Sequence, residues 1–327
     1  MATRKEVAAY AGVSVATVSN VVNGTKFVSE EVKQRVEDAI RTLDYHPNMI
    51  ARGLATKETR HVAIMVDNLK NGYYTEMLEG AQSMAGEYGY IVSIILSDFT
   101  NQTDTLGIAS RGLDGVILAT VRAGEIQALM KQKACMSQED LRVEVNYSLG
   151  IREAVASLHR LGHMKIAFLS GLKLAEDGSH PRWDGFRAAC KAEGIRIDPK
   201  LIVDANDRQS TDEEAGIEAV QRLLSQGSIP TALMAVNDLM AIGAIRELQK
   251  NGYRVPEDIS VIGCDNSQAS KYYTPSLSTI DAQVFTLGRS MMHNLFCEIK
   301  GKPLEKKVIP SKYIERESVR KVTTKQN

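Results

Sequence analysis

The 327-residue chain lacks any apolar run that could cross a bilayer. Stretches such as "YIVSIIL" (90–96) fall far short of the roughly 20 residues that a spanning helix needs. Cysteine is scarce, with four residues at 135, 190, 264 and 297, and no pair has the spacing of a metal clip or a redox motif. They read as reduced core residues of a cytoplasmic protein. The opening "MATRKEVAAYAGV" is broken by charges where a secretory signal would be apolar, which fits the same compartment. Net charge is also missing: Lys+Arg and Asp+Glu each number 40, so any surface for a polyanion must be local. Catalytic signatures are absent as well, with no Gly-rich phosphate loop, no Gly-x-Ser-x-Gly elbow and no His/Glu metal pair. His159 and His163 are spaced i, i+4, but no acidic third ligand follows. The sequence therefore predicts no enzyme, no cofactor and no metal.

What is there is an ordinary globular composition, 43% hydrophobic and 24% charged, on a chain long enough for two or three domains. Thr3 opens "TRKE", a Thr-x-x-Glu capping box, and predicts a helix to about Ala11, ended by Gly12. Ser14 caps a second helix, Val15 to about Val22, closed by Asn23-Gly24. A third starts at Ser29, with Val32, Val36, Ile40 and Leu43 on one stripe. Two short helices joined by a tight Gly-containing turn, with a third completing the core, predict a helix-turn-helix domain over 1–46.

The second helix explains that choice. Val18, Val21 and Val22 share the inward face, towards Val7 and the third helix. Val15, Ala16, Thr17 and Asn20 form an outer face that is short and uncharged, as a helix entering the major groove requires. Asn20 can pair bidentately with adenine, Val15 or Ala16 can touch a thymine methyl, and Thr17 and Ser19 can bond phosphates. Arg4, Lys5 and Lys26 are placed to reach the backbone. A three-helix bundle with small residues for tight packing is the plainer alternative. Residues 47–59 follow as a hinge: Pro47 stops the third helix, Asn48 is a good N-cap, and "MIARGLA" is too short to be a stable helix alone. Leu54 there suits a wedge driven into the minor groove.

From residue 60 onward, short apolar runs alternate with amphipathic helical patterns. "HVAIMV", "YIVSIIL", "GVILAT", "KIAFLS", "LIVDA", "ALMAV" and "ISVIGC" read as strands buried on both faces, hence parallel, doubly wound sheets. The pattern restarts near Lys165, which predicts two similar lobes: 60–158 with 283–312, and 159–282 with 313–322. Three strands run into polar pairs, Asp67-Asn68, Asn237-Asp238 and Asp265-Asn266. Each is either a helix cap or a ligand contact, and ligands in such sheets bind beyond the strands' carboxyl ends.

Residues 3–54 resemble the DNA-binding headpiece of the lactose-repressor/galactose-repressor family of bacterial transcription regulators, through "VAAYAGVSVATVSNVVNG", "VSEEVKQRVEDAIRTLDYHPN" and "ARGLA". "LHRLGHMKIAFLSG", "PRWDGFRAA", "PTALMAVNDLMAIGAIRELQKNGYRVPEDISVIGCDN", "TPSLSTIDAQ" and "IERES" extend the resemblance through the core, whose lobes resemble periplasmic sugar-binding proteins. One headpiece covers little DNA surface, which predicts a two-fold homodimer, and the tail "ERESVRKVTTKQN" has no leucine heptad for the coiled-coil tetramer of some relatives. The resemblance implies a double-stranded, roughly palindromic operator and a small, sugar-like effector whose binding controls operator affinity. It places Val15, Ala16 and Asn20 at base-reading positions and Leu54 at the intercalating hinge position. Arg182, Asn237 and Asp265 fall at effector contacts, and Tyr73 and Tyr74 wall the cleft. A solute-binding protein without DNA function is the alternative. The chain departs from the family at "ACMSQEDLRVEV", which predicts a distorted or missing strand in the first lobe, and at Thr211, where relatives often have a stacking aromatic.

Overall fold

The computed structural model describes residues 2–24, 26–46, 58–97, 112–120, 123–129, 134–174, 180–204 and 210–322. The chain divides into two units, 1–60 and 61–327. The hinge positions Asn48 and Leu54 lie outside the described residues.

The first unit is three helices, α1 (Arg4–Ala11), α2 (Val15–Asn23) and α3 (Glu30–Thr42). Their ends are fixed locally. Thr3 and Glu6 form the capping box in both directions, and Ser14 Oγ accepts from the Thr17 N–H at 3.0 Å. Gly12, at φ 65°, makes the left-handed turn from α1 into α2. The core gathers Val7, Ala8, Ala11, Val18, Val36, Ala39 and Tyr45, with Val21, Val22, Ile40 and Leu43 packed at its edge. The inward stripe of α3 is thus Val36, Ala39, Ile40 and Leu43. Val32 lies only half-buried outside this core.

The second unit holds two parallel four-stranded sheets. In the first lobe the order is β2-β1-β3-β4: β2 is Ile91–Leu96, β1 His61–Val66, β3 Gly115–Ala119 and β4 Cys135–Ser137. β5 (Val143–Asn146) pairs in parallel with β11 (Lys307–Pro310). Around them lie α4 (Gly72–Glu87), α5 (Ala123–Leu129) and α11 (Val284–Ile299). The strand expected to be distorted or missing is present but short, three residues in register with β3 at Val116↔Cys135. Polar flanks limit its apolar content, and pairing within the sheet supplies the order that sequence periodicity does not.

In the second lobe the order is β7-β6-β8-β9: Ile202–Val203, Ile166–Leu169, Ala232–Ala235 and Ser260–Ile262. Its helices are α6 (Tyr147–Arg160), α7 (Pro181–Ala192), α8 (Glu213–Ser225), α9 (Asp238–Lys250) and α10 (Gln268–Tyr272). The sequence places 147–158 in the first lobe, whereas α6 packs on α7, so the chain changes sheets at Asn146-Tyr147. It changes back after β10 (Thr279–Asp281), which leads into α11. It crosses a third time after β11, into β12 (Lys312–Ile314), antiparallel to β10. Nothing in hydrophobic pattern marks such crossings, because the strands on either side are alike.

Candidate functional site

On the headpiece, the helix cap sets the outer face of α2. Val15 is 41% exposed and Ala16 is exposed beside it. Thr17, Ser19 and Asn20 are half-buried. The Thr17 hydroxyl lies 2.8 Å from Ser14 Oγ, so it completes the cap as well as facing outward. Lys5 and Lys26 are exposed. Arg4 is partly committed: its Nε donates to the Tyr45 hydroxyl at 3.1 Å, tying α1 to the end of α3.

In the core, Tyr73, Tyr74, Arg182 and Asp265 come together and Asn237 does not join them as a free group. Arg182 stands in the first turn of α7, behind Pro181 and the His180 cap. Its Nη2 donates to the Tyr147 hydroxyl at 2.9 Å and to Asp265 Oδ1 at 3.1 Å, and Nε donates to Cys264 Sγ at 3.4 Å. The guanidinium also lies 4.0 Å from the centroid of the Tyr147 ring. Burial pushes the Asp265 carboxyl up to about 6, against the opposing pull of Arg182. Tyr73 faces this cluster, and burial pushes its phenol up to about 12. Tyr74 packs edge-on against Tyr73, with centroids 5.5 Å apart, and donates to Asp67 Oδ2 at 3.1 Å. Ser97 and Thr120 donate to the other Asp67 oxygen, so the end of β1 is hydrogen-bonded to the ends of its two neighbours.

The polar pairs at the strand ends divide their work. Asn237 caps α9, accepting from the Met240 N–H at 2.9 Å, while its Nδ2 donates to the Thr211 carbonyl at 2.9 Å. Asn68 accepts from the Lys70 and Asn71 amides, each at 3.0 Å. Sequence reasoning missed Tyr147. A tyrosine opening an amphipathic helix reads as core, and only the crossing at 146–147 brings it under Arg182. His159 and His163 serve the fold. His159 lies 2.7 Å from Glu193, and His163 bridges Thr231 and the Arg320 carbonyl.

A cavity of about 470 Å³ opens beside Tyr73 and Tyr74, with Thr120, Gln127, Ser137 and Asp140 among its walls, over the carboxyl ends of β3 and β4. Arg182 and Asp265 are not in its lining. A second cavity, about 410 Å³, includes His163, Thr231, Arg254 and Arg320 and lies at the amino ends of the second lobe's strands. Ligands in open α/β sheets bind at the opposite, carboxyl ends, so the tyrosine-walled cavity is the better candidate.

A helix-turn-helix headpiece followed by two doubly wound lobes with a polar cluster at the strand ends defines a ligand-responsive DNA-binding protein. Residues 3–48 match the family model for bacterial regulatory proteins of the lacI family, and 155–319 match a periplasmic binding protein-like domain. The HTH-type transcriptional repressor PurR of Mannheimia succiniciproducens is 32% identical, covering 98% of this chain and 100% of the relative. PurR of Vibrio atlanticus is 31% identical, covering 98% and 99%. Among solved structures, the lac repressor dimer bound to operator and an anti-inducer aligns with a TM-score of 0.79 at 25% identity, covering 98% of this chain and 99% of that one. A CelR–cellobiose complex aligns with a TM-score of 0.68 at 26% identity, covering 97% and 100%. The chain belongs to the lacI family of bacterial regulatory proteins. It is a helix-turn-helix transcriptional repressor with a small-molecule-binding core. No helix among the described residues is long and apolar enough to cross a membrane.

Proposed function

We propose that the chain is a cytoplasmic, non-enzymatic repressor. It acts as a homodimer on a roughly palindromic operator, under the control of a sugar or sugar derivative. Val15, Ala16 and Asn20 read base edges. Arg4, Lys5, Thr17 and Ser19 position the backbone. Asn48 and Leu54, from their place in the sequence, form the hinge contact to the minor groove. The uncharged outer face of α2, with Val15 and Ala16 exposed, supports this half of the reading.

The effector half rests on one observation. Among the described residues, Arg182 Nη1 has no hydrogen-bond acceptor, while the rest of the guanidinium is fixed by Tyr147, Asp265 and Cys264. A charged donor with N–H groups to spare beside an acceptor suits a polyhydroxyl ring, and Tyr73 faces both this pair and the cavity. Tyr73 and Tyr74 supply aromatic walls. Asn237 contributes by holding the Thr211 segment in place. A solved neighbour carries cellobiose, which fits a sugar as the ligand. The test has two arms. A mixed pool of duplexes is selected on the protein at moderate salt, which should enrich one palindrome. Melting temperature is then measured with ribose, cellobiose, sugar phosphates and purine bases, since a ligand of the folded state raises it. A pool that stays random sinks the DNA reading. A rise with purines alone sinks the sugar.

The dimer has a candidate face. Edge strand β2 leaves Ile91, Ile94 and Leu96 at 67%, 48% and 52% exposure, more apolar surface than an edge strand usually shows. A second copy of this lobe is the partner we assign to it. Sedimentation should give a dimer for the native chain and a monomer for Ile94→Lys.

A further inference from the structure

We propose that Asp238 is a positioning residue: its carboxylate clamps the 265–267 turn to the crossing strand β10 and so holds Asp265 on Arg182. Asp238 is 1% exposed and is the first residue of α9. The Asn237 amide oxygen already accepts at that cap, and the Asp238 side chain bonds none of the helix's own N–H groups. The Asp238 side chain turns away from its own helix. Oδ2 accepts from the Ser267 N–H at 2.7 Å, and Oδ1 accepts from the Thr279 hydroxyl at 2.5 Å. Its own N–H donates to the Cys264 carbonyl at 2.7 Å. The approach is close enough to require Gly263, where a Cβ would stand 2.3 Å from Oδ1.

The clamped turn needs restraint. Asp265 and Asn266 have φ of 109° and 57°, a region that residues with a side chain rarely occupy and hold only where their surroundings fix them. Here the fixing comes from the crossing strand. The Asp265 N–H donates to the Ile280 carbonyl at 2.8 Å, and the Asn266 N–H donates to Thr279 Oγ1 at 3.2 Å. Arg316 adds a hydrogen bond to Asn266 Oδ1. Thr279 therefore touches both the turn and Asp238, and removing either partner frees the same loop.

The choice of a carboxylate there is costly. Asp238 and Asp265 share one buried pocket, and burial with that neighbouring charge pushes Asp238 up to about 7. A side chain needed only for packing would be neutral. The clamp also has reach: β10 continues into α11, whose Gly288 lies against Met77 of α4, the helix that carries Tyr73 and Tyr74. The Asp265 turn of one lobe is thus joined to the segment that enters the other.

The role of the cluster in effector binding rests on the function proposed above, so the test uses the full-length protein with no ligand added. It compares Asp238→Ala, Thr279→Val and Thr279→Ser by amide hydrogen exchange at 265–267. It also follows the ¹H–¹⁵N signals of the Arg182 Nη groups, which carry the bond to Asp265 and are identified by their loss in Arg182→Lys. Asp238→Ala and Thr279→Val should speed exchange at Asn266 and Ser267 on the order of tenfold more than at β6 amides. Both should move the Arg182 signals towards those of a free guanidinium. Thr279→Ser, which keeps the hydroxyl, should restore both. If the Arg182 signals stay in place while the turn amides speed up, Asp238 staples the turn without placing Asp265, and the proposal falls. It falls equally if exchange accelerates uniformly across β6 and the turn. The ligand panel decides separately whether the cluster binds an effector.

Discussion

The Arg182 guanidinium rests on the Tyr147 ring, 4.0 Å from its centroid, and donates to the same residue's hydroxyl at 2.9 Å. One residue thus supplies both the surface and an acceptor for the charge, from a position directly after the chain changes lobes. Tyr147→Phe keeps the ring and removes the acceptor. A hydrogen bond to a buried charged group contributes about 1.5–3 kcal/mol, so the variant should lose stability of that order. Urea unfolding can be followed by Trp183, the chain's only tryptophan, which adjoins Arg182. Unchanged stability in Tyr147→Phe would mean that the ring face, Asp265 and Cys264 hold Arg182 without the hydroxyl.

Much of the fold was legible because its signals are local. The Thr3–Glu6 box, the Ser14 cap and Gly12 act within four residues, so the headpiece could be read off the chain. The buried runs of β1, β3, β6 and β8 were equally plain. The three-residue β4, the lobe crossing at Tyr147 and the pairing of β10 with β12 depend on partners distant in sequence, and no periodicity announces them. In the cluster, Asp265 was visible as a polar strand end, while Arg182 was singled out only through family resemblance. Asn237 shows the limit of reading residue types: an asparagine at a strand end fits a cap and a ligand contact alike, and the structure uses both ends of its amide internally.

Asp238 gives a pH dependence with a definite sign. Its folded-state value is raised from the ordinary 3.8 to about 7, so the native state keeps a proton that the unfolded chain gives up. Its contribution to stability is therefore greatest at low pH and declines as pH rises from about 4 through about 7, by a total on the order of a few kcal/mol. Asp238→Asn removes that penalty. The melting temperature of the variant relative to the native protein should climb between pH 5 and pH 8. A difference that stays flat across that interval would place the Asp238 carboxyl in its ordinary range.

The packing of α4 on α11 predicts opposite outcomes for two glycines on the same helix. A Cβ on Gly80 would stand 2.0 Å from the Phe285 carbonyl oxygen, so Gly80→Ala must push the helices apart. Overpacking of this kind costs typically about 1–3 kcal/mol. A Cβ on Gly86 meets nothing within 4 Å, and Gly86→Ala should stabilise the helix by up to about 1 kcal/mol. Equal urea midpoints for the two variants would contradict this packing.

The headpiece separates reading from holding. Asn20 lies on the outer face of α2, and replacing a base-reading side chain by alanine costs about 1–3 kcal/mol and relaxes preference at one position per half-site. Lys5 is exposed, and on the reading proposed above it contacts only phosphates, so Lys5→Ala should weaken all sequences alike and lower the salt slope by about one counterion for each phosphate it no longer neutralises. Arg4 differs from both, because its Nε is bound to Tyr45. Arg4→Ala removes a phosphate ligand and also the tie between α1 and the end of α3, so it should flatten the salt slope and lower headpiece stability together. Selection from a randomised half-site library, repeated at two salt concentrations, distinguishes the three. Asn20→Ala should change the selected sequence with its salt slope intact, and Lys5→Ala should do the reverse. If Asn20→Ala selects the native sequence with undiminished preference, α2 does not read bases through Asn20.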